Sequence, residues 1–106
     1  MMKLSKKIAE KIFNNPELGY KEFKTKGTIV NFLKNVNPDL QLNEFSTTGF
    51  RTSLGGGKKL KIAFIAELDA VYAPTHRNAD PETGAAHNCG HYTQVAITSS
   101  DCISSL

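Results

Sequence analysis

The sequence places three potential metal-binding side chains close together, in the segment His87-Asn88-Cys89-Gly90-His91. Two imidazoles and a thiol stand at alternate positions, so all three side chains would share one face of an extended segment. Nitrogen and sulfur ligands of this kind suit Zn²⁺ or a similar divalent ion, and Gly90 lets the backbone bend between the last two. The spacing is equally compatible with a buried thiol beside two surface histidines, so the rest of the chain must decide.

Two carboxylates form a second candidate group. Residues 60–66 read Leu-Lys-Ile-Ala-Phe-Ile-Ala, which is typical of an interior strand covered on both faces. Glu67 and Asp69 follow this run directly, and ligands in open α/β sheets collect at the carboxyl ends of strands. Because they are two positions apart, these side chains point to the same side and could bind a metal or orient its ligands. The alternative is a strand end that only caps the next loop.

Helices are predicted on both sides of these groups. Apolar residues at helical spacing indicate one helix over 4–13 and another from about 21 to 36, and Pro16 separates them. Gly27 lies inside the second helix, where we expect it to mark close packing. Residues 95–97 could open a third helix behind the Cys/His segment.

Short strands are predicted between the second helix and the carboxylates. Residues 40–45 alternate apolar and polar side chains, 50–54 follow as a second strand, and the glycines at 55–57 predict a tight reversal. Residues 98–106 contain four serines and have poor helix propensity, so we expect a tail that is disordered or not native to the fold. This order of elements indicates an α/β protein.

Composition excludes several classes of function. The net charge of +3 arises from interleaved acids and bases, whereas a nucleic-acid-binding protein gathers its basic residues into a stripe. The sequence shows no signal peptide and no apolar run of the roughly 20 residues that a membrane span needs. We therefore expect a cytoplasmic protein, in which the two cysteines, Cys89 and Cys102, are more often a ligand and a bystander than a disulfide.

Four motifs occur in series along the chain: NPELGYKE at 15–22, TTGF at 47–50, AELDA at 66–70 and TGAAHNCGH at 83–91. In this order and over about residues 4–97, the chain resembles the N-terminal part of the metal-dependent amidohydrolases and metallopeptidases. Hippurate hydrolase, aminoacylase-like enzymes and auxin-conjugate hydrolases belong to this group. Several motifs in the right order are much more specific than any one of them.

The resemblance implies a fold and a reaction. Residues 1–97 would be the front part of a zinc-dependent exopeptidase-like catalytic domain, a mixed sheet with flanking helices. The implied hydrolase cleaves the amide bond of an N-acyl amino acid or a small peptide, with two divalent ions, zinc or manganese, in its site. A homodimer would form only through a further domain.

The resemblance also implies roles for particular residues. Cys89 and His91 match the motif's metal ligands, and Asp69 matches a catalytic-site carboxylate that orients a ligand. Glu67 stands where related branches carry an acid or a metal-binding histidine, so its role is open. His87 belongs to the motif, but a hydrogen bond within the loop is expected of it rather than metal binding.

The sequence departs from the family's pattern in two ways. Tyr92 stands where the family has Asp or Asn, so position 92 supplies no carboxylate or amide to the metal site. No glutamate follows Cys89 and no histidine follows His91, although the family's general base and remaining ligands lie beyond these positions. We therefore expect an N-terminal fragment or a truncated or frameshifted product that is inactive alone.

Two other functions remain open on the sequence. One is a small non-catalytic module that keeps the front half of the fold. The other is a structural zinc site in an interaction protein, which needs four ligands. The candidates for those ligands are His76, His87, Cys89, His91 and Cys102.

Overall fold

A computed structural model describes residues 2–53 and 65–104 of the chain. These residues form three α-helices and two small antiparallel sheets, which fits the expected α/β class. Most of the predicted interior strand at 60–66 and the glycine reversal at 55–57 lie outside the described residues. In chain order the elements are α1 (Met2–Phe13), α2 (Phe23–Val36), β1 (Asn43–Phe45), β2 (Gly49–Arg51), β3 (Val71–Tyr72), β4 (Ala85–Ala86) and α3 (His91–Ser104).

The two predicted N-terminal helices are confirmed, and each begins within two residues of its predicted start. The expectation for Gly27 is wrong, because a Cβ built at this position meets no atom within 4 Å. The third helix begins at His91 and runs through residues 98–104, across the predicted start of the tail. Ser99 is buried in this helix and its hydroxyl donates to the Val95 carbonyl, 2.7 Å away. This bond gives a serine of poor helix propensity a partner inside the helix.

The core lies where the three helices meet. The buried apolar residues of α1 and of α2 lie four positions apart, whereas α3 contributes two adjacent residues. Burial of these faces stabilises helices that would be marginal alone. A buried leucine from the segment before β1 joins them. The members of the core are Ile8, Ile12, Ile29, Leu33, Leu40, Val95 and Ala96.

The two hairpins have different consequences for the candidate site. In the first, β1 pairs with β2, and Ser46 and Thr47 form the turn with positive φ. In the second, Val71 of β3 lies opposite Ala86 of β4. Although each strand of the second hairpin is only two residues long, the pairing brings the segment before β3, which contains both carboxylates, next to the segment after β4.

Within the described residues, no helix combines the length and apolar character needed to cross a membrane.

Candidate metal centre

His91 contacts both carboxylates of the predicted acid pair. Its Nε2 lies 2.6 Å from Oε2 of Glu67, and its Nδ1 lies 3.0 Å from Oδ1 of Asp69. Nδ1 is also 3.0 Å from the backbone carbonyl oxygen of Asp69. One ligand atom from each of the three residues lies within 4.8 Å of the others, so together they could hold a metal ion.

The backbone around His91 sets the position of its ring. Gly90 has a φ of 93°, a conformation that favours glycine, and His91 follows as the first residue of α3. The Thr93 hydroxyl donates to the Gly90 carbonyl at 2.6 Å and reinforces this start of the helix. On the opposite side, the β3–β4 pairing fixes the segment that carries Asp69. The site therefore joins a helix start to the entry of a hairpin.

The hydrogen bond from His91 to the Asp69 carbonyl indicates which ring nitrogen carries a proton. A carbonyl oxygen only accepts hydrogen bonds, so Nδ1 must carry the proton that it shares with Asp69. Burial lowers the pKa of His91, but the hydrogen bond to the Asp69 carbonyl and the charges of Asp69 and Glu67 outweigh burial and raise the pKa above 6.5. The metal-free centre therefore stabilises the protonated ring of His91 relative to a histidine in water.

His87 lies next to this group but in a different environment. The residue is 3% exposed, and neither ring nitrogen has a hydrogen-bond partner among the described residues. The hydrogen bond within the loop that the sequence predicted is therefore not formed there. The ring instead packs on Tyr92, with 5.5 Å between the ring centroids. Burial lowers the pKa of His87, and nearby His91 lowers it further, against the opposing charges of Asp69 and Glu17.

Cys89, the other predicted ligand, is exposed and carries a free thiol. It does not join the group formed by Glu67, Asp69 and His91. Metal binding by Cys89 thus stays a prediction. Within the described residues no four-ligand Cys/His set comes together, and the ring of His76 instead accepts a hydrogen bond from the Asn78 amide.

Two supporting side chains were not identified as such from the sequence. Tyr92 packs between His87 and Phe13, and its ring centroid lies 5.1 Å from that of Phe13. Glu17 binds the start of α2 through its side chain and Ala70 through its backbone. Sequence spacing could not reveal the role of Glu17. Its side-chain partners, Lys24 and Thr25, lie 7 and 8 residues further along the chain. Its backbone partner, Ala70, comes only after α2, β1 and β2.

The donor set fits a divalent ion such as zinc or manganese. Carboxylate oxygens and an imidazole nitrogen are ordinary ligands of both metals. A histidine that binds metal through one nitrogen usually donates its other N–H to a carboxylate or a carbonyl, and Asp69 offers both to Nδ1. Nε2 is left facing Glu67, so His91 and Glu67 would supply the direct ligands and Asp69 would hold the ring.

Comparison with known proteins finds similarity to hydrolases. The chain is 32% identical over 96 residues to each of two proteins of Saccharolobus solfataricus, thermostable carboxypeptidase 2 and thermostable carboxypeptidase 1. It is 29% identical over 86 residues to N-acetyldiaminopimelate deacetylase of Bacillus pumilus. These alignments cover 85%, 85% and 77% of this chain.

The extent of the similarity is limited. The chain spans 24% of the length of each carboxypeptidase and 23% of the deacetylase. No family profile and no solved structure matches the chain. The chain is thus distantly related to two kinds of hydrolase, a carboxypeptidase and a deacetylase, and it corresponds to about a quarter of the length of each.

Proposed function

We propose that the chain forms the N-terminal part of the catalytic domain of a metal-dependent amidohydrolase or peptidase. The substrate would be an N-acyl amino acid or a small peptide, and the bond hydrolysed would be its amide. The observation that carries the proposal is the contact of His91 with Glu67 on one nitrogen and Asp69 on the other. The similarity to a carboxypeptidase and a deacetylase supports it, because both names describe hydrolases of acyl or peptide bonds.

Asp69, His91 and Glu67 would have different roles in the site. Asp69 holds the Nδ1 proton of His91 and so fixes the tautomer and the orientation of the ring. Nε2 must lose its proton before it can act as a ligand, and Glu67 is placed to accept that proton or to bind beside it. A divalent ion, zinc or manganese, would lower the pKa of water and polarise the amide carbonyl. Two ions per site and ligation by Cys89 also belong to the proposal.

Metal binding provides the first test. We expect isothermal titration of the 106-residue chain with Zn²⁺ or Mn²⁺ to show saturable binding that His91→Asn abolishes. Asp69→Asn should weaken it by about 10- to 100-fold, the usual effect of losing a partner of a metal-bound histidine. Glu82→Gln changes an exposed carboxylate outside the group and serves as the matched control. Equal affinity in His91→Asn and the wild type would contradict the proposal.

Activity is the second test. No glutamate follows Cys89 in the sequence, so we expect the 106-residue chain alone to bind metal without turning over N-acyl amino acids. A longer version, extended through the coding sequence downstream, should hydrolyse members of an N-acyl amino acid panel in the presence of zinc or manganese. Metal binding without turnover in both versions would favour a non-catalytic module. The proposal includes no nucleic-acid partner. The cytoplasmic location proposed for the protein rests on the sequence alone.

A further inference from the structure

We propose that Glu17 is a positioning residue for the His91 centre, which it holds in register with helix α2. Glu17 touches neither His91 nor its carboxylate partners in any contact described above. It acts through the backbone of Ala70, the residue that follows Asp69. The inference rests on the proposed function for its consequence, metal binding, but the structural link itself does not require a metal.

The side chain of Glu17 is fastened to the start of α2 by three hydrogen bonds. Its Oε1 accepts from the Thr25 amide at 2.7 Å and from the Thr25 hydroxyl at 2.8 Å, and its Oε2 accepts from the Lys24 amide at 3.0 Å. Both amides belong to the first turn of α2, where backbone N–H groups lack partners within the helix and a negative charge is favoured. Thr25 is 1% exposed, so water does not compete freely for the bonds. Residue 17 is therefore fixed relative to α2.

The backbone of Glu17 passes this constraint on. Its carbonyl accepts from the Ala70 amide at 2.7 Å, and Ala70 is 2% exposed. The neighbouring residue, Asp69, contacts Nδ1 of His91 through both its carbonyl and its carboxylate. A shift of the backbone at residues 69–70 would move both acceptors at once. One residue thus links the start of α2 to the acceptors that orient the imidazole.

A second buried contact near the same helix start shows why Glu17 is more than a cap. The Thr48 hydroxyl donates to Oε1 of Glu22 at 2.9 Å, and both residues are buried. This bond joins the start of α2 to the β1–β2 hairpin. It has no described bond to residues 69–70, so its loss would weaken the fold without moving the acceptors of His91.

The test compares Glu17→Ala with the control Thr48→Val in the 106-residue chain. With EDTA present, hydrogen exchange at the Ala70 amide reports the bond to residue 17, and the ring ¹⁵N shifts of His91 at one fixed pH report the Nδ1 hydrogen bond. We expect Glu17→Ala to raise exchange at Ala70 by about tenfold relative to other core amides and to shift the Nδ1 resonance. Thr48→Val should leave both at their wild-type values after correction for global stability.

A second variant covers the case in which Glu17→Ala does not fold. Thr25→Val removes only the hydroxyl that donates to Glu17, and we expect changes in the same direction but smaller. Zinc affinity should fall by about tenfold in Glu17→Ala, the lower end of the effect of losing an indirect partner of a metal ligand. Thr48→Val should keep the wild-type zinc affinity.

The outcomes separate the two proposals. If Thr48→Val changes the Ala70 and His91 signals as much as the Glu17 and Thr25 variants do, Glu17 only stabilises the fold and the inference is overturned. Unchanged signals in both the Glu17 and Thr25 variants overturn it as well. If the wild-type chain binds no zinc, the proposed function fails, while the measurements in EDTA still decide the role of Glu17.

Discussion

Replacing His87 with leucine should make the protein more stable. The imidazole is 3% exposed and neither nitrogen has a hydrogen-bond partner among the described residues. A buried polar atom left without a partner costs about 1–3 kcal/mol. Leucine removes both such atoms, but it also loses the ring contact with Tyr92, which is worth about 0.5–1.5 kcal/mol. Because two such atoms are removed and one ring contact is lost, we expect His87→Leu to raise the free energy of unfolding by a net of about 0.5–5.5 kcal/mol.

Urea denaturation followed by circular dichroism measures this change, with EDTA present to exclude metal effects. The matched control is His76→Leu, since the Nδ1 of His76 accepts from the Asn78 amide. Losing that bond should lower stability by about 0.5–1.5 kcal/mol. The two histidine-to-leucine changes should thus have opposite signs.

The pH dependence of the same variant gives a second check. Because burial lowers the folded-state pKa of His87 below 6.5, its neutral form contributes stability that is present above pH 6.5 and is lost as the pH falls through the folded pKa. His87→Leu should remove this loss on acidification. If His87→Leu is instead less stable than the wild type at pH 7.5, the imidazole has a hydrogen-bond partner in solution and the reasoning from its isolation is wrong.

Four further predictions concern the core, a turn, a helix interior and the centre. Ile12→Ala empties a position that is 1% exposed and should lower the free energy of unfolding by about 2–5 kcal/mol in urea denaturation. Gly84→Ala forces a side chain into a φ of 75° and toward the ring of Tyr72, so thermal unfolding should show a loss of about 1–2 kcal/mol. Gly27→Ala meets open space inside a helix and should instead gain up to about 1 kcal/mol in the same assay. In EDTA, the raised pKa of His91 contributes stability that is complete below pH 6.5 and is lost as the pH rises through the folded pKa. Glu67→Gln removes one of the charges that raise this pKa, so it should reduce the loss of stability. Urea denaturation at a series of pH values measures the difference.

Sequence periodicity predicted the helices better than it predicted the site. The spacing of apolar residues such as Ile8 and Ile12 identifies the buried face of a helix even when the residues it packs against are not known. This is possible because the period of a helix is fixed by its local backbone geometry. The pairing of Val71 with Ala86 has no such signal, since two-residue strands are too short to show alternation. The approach of Asp69 to His91 depends on that pairing, so the sequence could propose these residues separately but could not derive their contact.

The limits of the helix rule appear at the third helix. Propensity counted against a helix over the serine-rich residues after 97, yet α3 runs to Ser104. Propensity is a weak local term that burial readily overrides, and Val95 and Ala96 pack in the core while Ser99 donates to the backbone. Serine has a poor helix propensity because its hydroxyl can hydrogen-bond the backbone in non-helical conformations. In Ser99 the hydroxyl bonds a carbonyl of the same helix, so this bond is made without leaving the helical conformation.

The imidazole of His91 takes its Nδ1 acceptors from Asp69 and none from its neighbour Tyr92. Tyr92 follows His91 directly in the sequence and offers it no carboxylate or amide. The ring of Tyr92 packs instead between Phe13 and His87. Meanwhile the Nδ1 of His91 already has two acceptors from Asp69, one on the backbone and one on the side chain. Orientation of the imidazole therefore depends on the hairpin side of the site, and Asp69→Asn should disturb it more than any substitution at position 92.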